Sequence, residues 1–104
     1  MRGDVYELKA PRDARGHEQR GRRYAVVVQS DLLPLSTWLV APTSTSAQSA
    51  SFRPEIEVDG KSTLVLVEQT AAVDPQRLGN VVGHLSRQEL SAVDNALRVV
   101  LHLT

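Results

Sequence analysis

The chain has 104 residues, 41% of them hydrophobic and 23% charged, which is enough material for a single core-forming domain over residues 1–104. It has no cysteine, so disulfides and thiolate sites are excluded, and no apolar run of about 18 residues that could cross a membrane as a helix. The formal net charge is zero but uneven, with seven Lys/Arg against four Asp/Glu in residues 1–23 and five against eight thereafter, so an anion is expected to meet the N-terminal end.

The start, Met1-Arg2-Gly3-Asp4, lacks the apolar stretch of a secretion signal, and a cytoplasmic location is expected. Gly3 to Leu8 alternates weakly and predicts a first strand. Ala10-Pro11-Arg12-Asp13-Ala14-Arg15-Gly16 breaks it, and a loop of roughly a dozen residues runs on to Arg22. A loop of that length is uncommon in a small domain unless it has a function or is disordered. Tyr24 to Gln29 is predicted as a second strand, and its three consecutive valines imply cover on both faces. Ser30-Asp31 ends it, and Leu32, Leu33 and Leu35 in the connection suit a partner surface. Thr37 to Ala41 is predicted as a third strand, stopped by Pro42. Thr43 to Ser51 then holds six hydroxyl residues in nine positions.

Glu55 to Asp59 alternates strictly and turns at Gly60-Lys61, and Ser62 to Val67 completes a hairpin. Glu68-Gln69-Thr70 are polar residues at the end of that strand. Asp74 to Leu78 predicts a helical turn with Asp74 as cap and Pro75 at its first position, ended by Gly79-Asn80. Val81 to His84 reads as a short last strand. Ser86 and Glu89 form a capping box, and Leu90, Val93, Leu97, Val100 and Leu101 recur on one face of a helix running to about Val100. Six short strands and one helix predict a mainly β fold with a C-terminal helix, a small, strongly bent sheet or barrel.

The three histidines are scattered, so no zinc site is expected. Glu55, Glu57 and Asp59 share one strand face with no second carboxylate cluster, which suits a solvated face better than a metal site. What remains is arginine, hydroxyl, glutamine and histidine at strand ends. Arg23 stands just before one strand and Thr43 just after another; in adjacent antiparallel strands those ends meet. A guanidinium clamps a phosphate with fixed donors, and a hydroxyl adds a bond to developing negative charge. That set suits a reaction at a phosphodiester without a metal, which RNA permits because its own 2′-hydroxyl can attack.

The sequence resembles the MazF/PemK-type toxins, messenger-RNA endoribonucleases of bacterial type II toxin–antitoxin systems. The resemblance covers nearly the whole chain. It rests on Arg2-Gly3-Asp4-Val5-Tyr6, on Gly16 to Arg23 with the valine strand and Gln29-Ser30-Asp31, and on the strand ending at Thr43. It continues through Val67-Glu68-Gln69, Asp74 to Leu78, and His84-Leu85. It implies an SH3-like barrel of the CcdB/MazF toxin type, a homodimer, single-stranded RNA as substrate and a cognate MazE-like antitoxin as partner. It also implies cleavage without a metal or other cofactor, leaving a 2′,3′-cyclic phosphate and a 5′-hydroxyl.

Arg23 and Thr43 match the catalytic positions, and Gln69 a position that contacts a base. Arg15, Gln19, Arg20, Arg22, Gln29, Ser30 and Ser44 complete the expected RNA contacts, with Ser44 or Thr45 as alternative hydroxyls to Thr43. An always-charged guanidinium is a poor general base, so Arg23 is expected to clamp phosphate, while His17 and Glu18 are the candidate acid/base residues. Tyr24 departs from the family's usual proline after the arginine. A gyrase poison on the same barrel, or an RNA-binding barrel without catalysis, are the alternative functions. Trp38 is the only tryptophan and lies far from the chain end through which gyrase poisons act.

Overall fold

The computed structural model describes residues 1–9 and 23–103. Among these, the strands are β1 (Asp4–Leu8), β2 (Tyr24–Val27), β3 (Trp38–Ser44), β4 (Glu55–Val58), β5 (Lys61–Val65), β6 (Ala71–Val73) and β7 (Leu78–His84), followed by helix α1 (Arg87–Leu101). They pair antiparallel in the order β4-β5-β3-β2-β1-β7, with β6 also on β3. The result is a mainly β half-barrel with one C-terminal helix, the fold class expected.

Strand β2 lies near the middle of this order, and its composition explains why. Ala25, Val26, Val27 and Val28 are all buried. Because side chains alternate along a strand, they feed two cores. Val26 and Val28 join Val5, Ala41, Ile56, Val65, Val93 and Ala96 in the core that includes α1. Ala25 and Val27 join Val40 and Leu78 on the opposite face, where Tyr6, Leu8 and Trp38 pack against them. Trp38, partly buried, meets Tyr6 edge-to-face at 5.7 Å between ring centroids and packs against this second core.

Four expectations need correction. Strand β3 does not stop at Pro42 but continues through Thr43 to Ser44. Its outer partner changes there, from β6 through Val40 to β5 from Thr43. The Pro42 carbonyl points to that side and accepts from Leu66 N at 2.8 Å. The missing proline N–H therefore falls at the change of partner, where no ladder bond is lost. Ala71 to Val73, with no alternating pattern of its own, forms β6 because β3 offers it an edge. The turn capped by Asp74 is present as a 3-10 turn over Pro75–Arg77. Gly79-Asn80, however, does not end it into a loop, because β7 already starts at Leu78. A Cβ on Gly79 would come within 3.1 Å of the Glu7 side chain, so a larger residue there would require Glu7 to give way. Finally, Leu101 is 59% exposed, and Ala96 occupies the buried face instead. Leu101 lies one residue round from Val100 and next to His102, where the chain leaves the helix in a left-handed conformation at φ 57°.

Helix α1 is fixed at its start and along its length. The Ser86–Glu89 capping box is complete. The second Glu89 oxygen accepts from Glu57 N on strand β4 at 2.9 Å, joining the helix start to the sheet edge. Partial burial opposes ionisation of Glu89, but backbone N–H donors from Ser86 and Glu57 outweigh it and hold the carboxyl below its ordinary range. Arg2 pairs with Asp94 at 2.7 Å and donates to the Val28 carbonyl at 2.9 Å, so it ties the chain start to the helix and to the residue just after β2.

Candidate active site

The register of β2 on β3 pairs Ala25 with Pro42, which brings the start of β2 against the end of β3. Arg23 Nε donates to the Thr43 carbonyl at 3.3 Å, and Tyr24 N donates to Thr43 Oγ1 at 3.1 Å. Thr43 is thus the fastening of this corner: 1% exposed, holding Arg23 through its backbone and Tyr24 through its side chain. The Nε bond turns the side chain of half-buried Arg23 toward Thr43, and neither Nη1 nor Nη2 bonds another described residue. Tyr24 in place of a proline has a direct consequence, since only a residue with an N–H can make the bond to Thr43 Oγ1.

Ser44 is half-buried and folds back on the chain. Its Oγ accepts from Ser46 N at 3.2 Å and Ala47 N at 3.0 Å, which shapes the first turn of the β3–β4 loop. Thr45 is exposed in the same turn. Of the three hydroxyls, Thr43 is therefore the one in contact with the Arg23–Tyr24 corner.

Gln69 ends a 3-10 turn over Val67–Gln69, anchored by buried Val67 and by Thr70 Oγ1 donating to the Val67 carbonyl at 2.8 Å. The turn sits beside β3, because Leu66 N bonds the Pro42 carbonyl just before it and β6 pairs with Val40 just after. The Gln69 side chain is exposed.

Gln29 and Ser30 are not brought into this group. They lie at the other end of β2, six and seven residues from Arg23, or about 20 Å along a strand. Gln29 is 8% exposed, with Nε2 donating to the Leu33 carbonyl at 3.0 Å and Oε1 accepting from Leu39 N at 3.1 Å. Its amide is a brace between β2, the connection and β3. Ser30 Oγ accepts from Leu32 N at 3.1 Å in the same connection. Arg15, His17, Glu18, Gln19, Arg20 and Arg22 lie outside the described residues.

Sequence reasoning missed one pair here. Arg53 donates from Nε and Nη2 to Glu68 Oε2 at 3.0 and 2.6 Å, and from Nη1 to the Gln48 carbonyl at 2.9 Å. Its hydrogen bond holds the Glu68 carboxyl below the usual range, against the opposing pull of partial burial. Nothing in the spacing of two residues 15 apart announces this contact.

The sequence profile of the PemK-like, MazF-like toxins of type II toxin–antitoxin systems matches residues 1–101. The chain belongs to this toxin family. A toxin candidate of Mycobacterium tuberculosis is 45% identical over 104 residues, covering 99% of this chain and 98% of that protein. Endoribonuclease EndoA of Bacillus subtilis is 33% identical over 110 residues, covering 98% and 94%. Among solved structures, the toxin superimposes on an endoribonuclease in complex with its cognate antitoxin from a mycobacterial species. The TM-score is 0.80 at 14% identity, over 100% of this chain and 96% of that one. It also matches MazF of Deinococcus radiodurans, with TM-score 0.76 at 23% identity, over 98% and 96%. The resemblance stated from sequence is thereby shown, and the half-barrel is that of the MazF structures. No helix among the toxin's described residues is long and apolar enough to cross a membrane.

Proposed function

We propose that this toxin is a sequence-specific endoribonuclease that cuts single-stranded messenger RNA in the cytoplasm and thereby inhibits translation and growth. Membership of the toxin family and the 33% identity to an endoribonuclease support the reading. The observation that carries it for this chain is the Arg23–Thr43 corner, where a cation is held on rigid strand ends.

In the proposed reaction, the 2′-hydroxyl of the nucleotide before the cut attacks the adjacent phosphorus. The bond from phosphorus to the 5′-oxygen breaks, leaving a 2′,3′-cyclic phosphate and a 5′-hydroxyl. Arg23 stabilises the charge that develops on the non-bridging oxygens, and its orientation is set before the substrate arrives. The Thr43 hydroxyl accepts from Tyr24, so its own proton is the one left to donate. The 2′-hydroxyl proton needs an acceptor and the leaving oxygen a donor; His17 and Glu18 have the chemistry for these transfers. RNA supplies the nucleophile, and the roles assigned here use no metal.

The active unit is proposed to be a homodimer of single-domain chains, held in check by a cognate MazE-like antitoxin. Solved relatives bound to antitoxin, including MazE–MazF of Deinococcus radiodurans at TM-score 0.77, support that partnership. An acidic antitoxin segment would displace RNA by competing for the same arginines.

The test is incubation with a long single-stranded RNA in excess EDTA, beside Arg23→Ala, with both new ends mapped. Discrete cuts bearing cyclic phosphates, lost in the variant, are expected. Intact RNA with the unaltered toxin would overturn the reading and favour a gyrase poison or an RNA-binding barrel without catalysis.

A further inference from the structure

We propose that the Arg53–Glu68 bridge is a positioning pair that sets which bases the toxin accepts beside the scissile phosphate. The proposal rests on the endoribonuclease reading above and names the device that gives that site its sequence preference.

Two segments flank the end of β3 where Thr43 lies. One is the β3–β4 loop, residues 45–54. The other is the Val67–Gln69 turn, with its exposed amide at Gln69. The loop follows Thr43 and Ser44 directly, and the turn follows the β5 strand that pairs with them. On this proposal, a base next to the phosphate held at this corner lies against these two segments.

Within the loop the backbone closes one turn, Arg53 N donating to the Ala50 carbonyl at 3.0 Å, and the other ties lie near the segment ends. Ser44 Oγ holds the first turn of the loop, Val65 N donates to the Pro54 carbonyl at 2.9 Å, and the turn carries its own cap. Arg53 links the two. One guanidinium bonds the Gln48 carbonyl inside the loop and the Glu68 carboxylate on the turn. Its Cζ also lies over the Phe52 ring, 5.6 Å from the centroid.

The bridge is shielded, with the two side chains only 22% and 25% exposed. Surface ion pairs contribute little, but a shielded, multiply bonded arginine holds one geometry. Glu68 Oε1 is out of contact with solvent and bonds no described residue, so the carboxylate is held by its other oxygen. The residue carrying that carboxylate is the immediate neighbour of Gln69. Moving Glu68 moves Gln69, and freeing Arg53 frees the loop facing it. Neither residue is needed to touch the reacting phosphate, so the pair acts on base choice through the segments it joins.

The experiment compares cleavage maps of one long single-stranded RNA of defined sequence, cut by the unaltered toxin and by Arg53→Met, Arg53→Lys and Glu68→Gln. The unaltered toxin should cut a short motif. Arg53→Met should cut that motif and additional sites differing by one base. Its ratio of rates at preferred and mismatched sites should fall about tenfold, the discrimination carried by one well-placed base contact. Glu68→Gln keeps the shape of the side chain and should broaden the map in the same way, which covers the case where Arg53→Met does not fold. Arg53→Lys keeps the charge but not the fork, and should recover part of the ratio. An unchanged map and ratio in folded Arg53→Met or Glu68→Gln, even with reduced thermal stability, would overturn this proposal alone by making the bridge structural. Intact RNA with the unaltered toxin would overturn the nuclease reading and this proposal with it.

Discussion

The two ends of strand β2 carry similar polar residues and use them in opposite ways. At the Gln29 end, the side chain is filled: its amide bonds the Leu33 carbonyl in the connection to β3 and Leu39 N in β3 itself, and the neighbouring Ser30 hydroxyl bonds Leu32 N in that connection. At the Arg23 end, one nitrogen fixes the side chain to Thr43, and the terminal nitrogens bond no other described residue. A glutamine and an arginine flanking one valine strand both look like RNA contacts in a sequence. What separates them is whether their hydrogen-bonding capacity is already satisfied among the described residues. A satisfied group stabilises; a positioned group with capacity left can act on a ligand.

The strongest way to break this contrast is at its two poles. Arg23→Ala should lose about 3 kcal/mol of transition-state stabilisation, a hundredfold or more in kcat/KM, with little change in thermal midpoint. Single-turnover cleavage and a melting curve of the same preparation check both halves. Near-normal cleavage would remove Arg23 from the mechanism.

Gln29→Ala should behave inversely. It leaves Leu39 N and the Leu33 carbonyl without their partner, at a cost of about 2 kcal/mol, or roughly a 10 °C drop in midpoint for a domain of this size. Cleavage by the folded fraction should keep its rate and its sites. A variant with a normal midpoint and an altered cleavage map would return Gln29 to the RNA contacts.

Thr43 belongs to both categories and sharpens the comparison. Thr43→Val keeps the volume but strands the Tyr24 N–H, for about 1 kcal/mol of stability. It should also slow cleavage, because Arg23 and the hydroxyl proton act from the same corner. Thr43→Ser should restore most of both. If Thr43→Val destabilises without slowing cleavage, while Ser44→Ala slows it, the hydroxyl role passes to Ser44.

How much of this was legible depended on whether a feature is local. The capping box at Ser86 and Glu89 and the helix behind it follow from spacings of three and four, and both are present. The β4–β5 hairpin also follows from a local signal, since Asp59 and Gly60 adopt positive φ of 52° and 76° between Val58 and Lys61. The meeting of Arg23 with Thr43 required only that two antiparallel strand ends be adjacent. The run of β3 through Pro42 depended on a change of neighbour across the sheet, and β6 on an edge supplied by β3. The satisfaction of Gln29 and the contact of Arg53 with Glu68 are likewise tertiary facts. Residue type suggested where chemistry was available; only the fold shows which groups are already occupied.

The smallest effect concerns the region furthest in kind from the site. Glu89 is a carboxylate whose capacity is filled by backbone donors, as Gln29's amide is, but it also titrates. Its folded carboxyl holds a proton less readily than the same group in the unfolded chain, as do those of Glu68 and Asp4. For Asp4, burial opposes this, but the hydrogen bond to His84 and the N-terminal amine prevail. The unfolded chain therefore binds more protons in acid, and the stability these groups contribute is present above the ordinary carboxylate range. It is lost as pH falls through that range toward their lowered values. Glu89→Gln should lower the midpoint near neutral pH by a few degrees, for about 0.5 kcal/mol, and the gap to the unaltered toxin should close as pH falls below the ordinary carboxylate range. Melting curves across that range decide it. A gap that persists in acid would mean that Glu89 acts through shape and neutral hydrogen bonds alone, and that the difference between a filled amide and a filled carboxylate carries no pH dependence here.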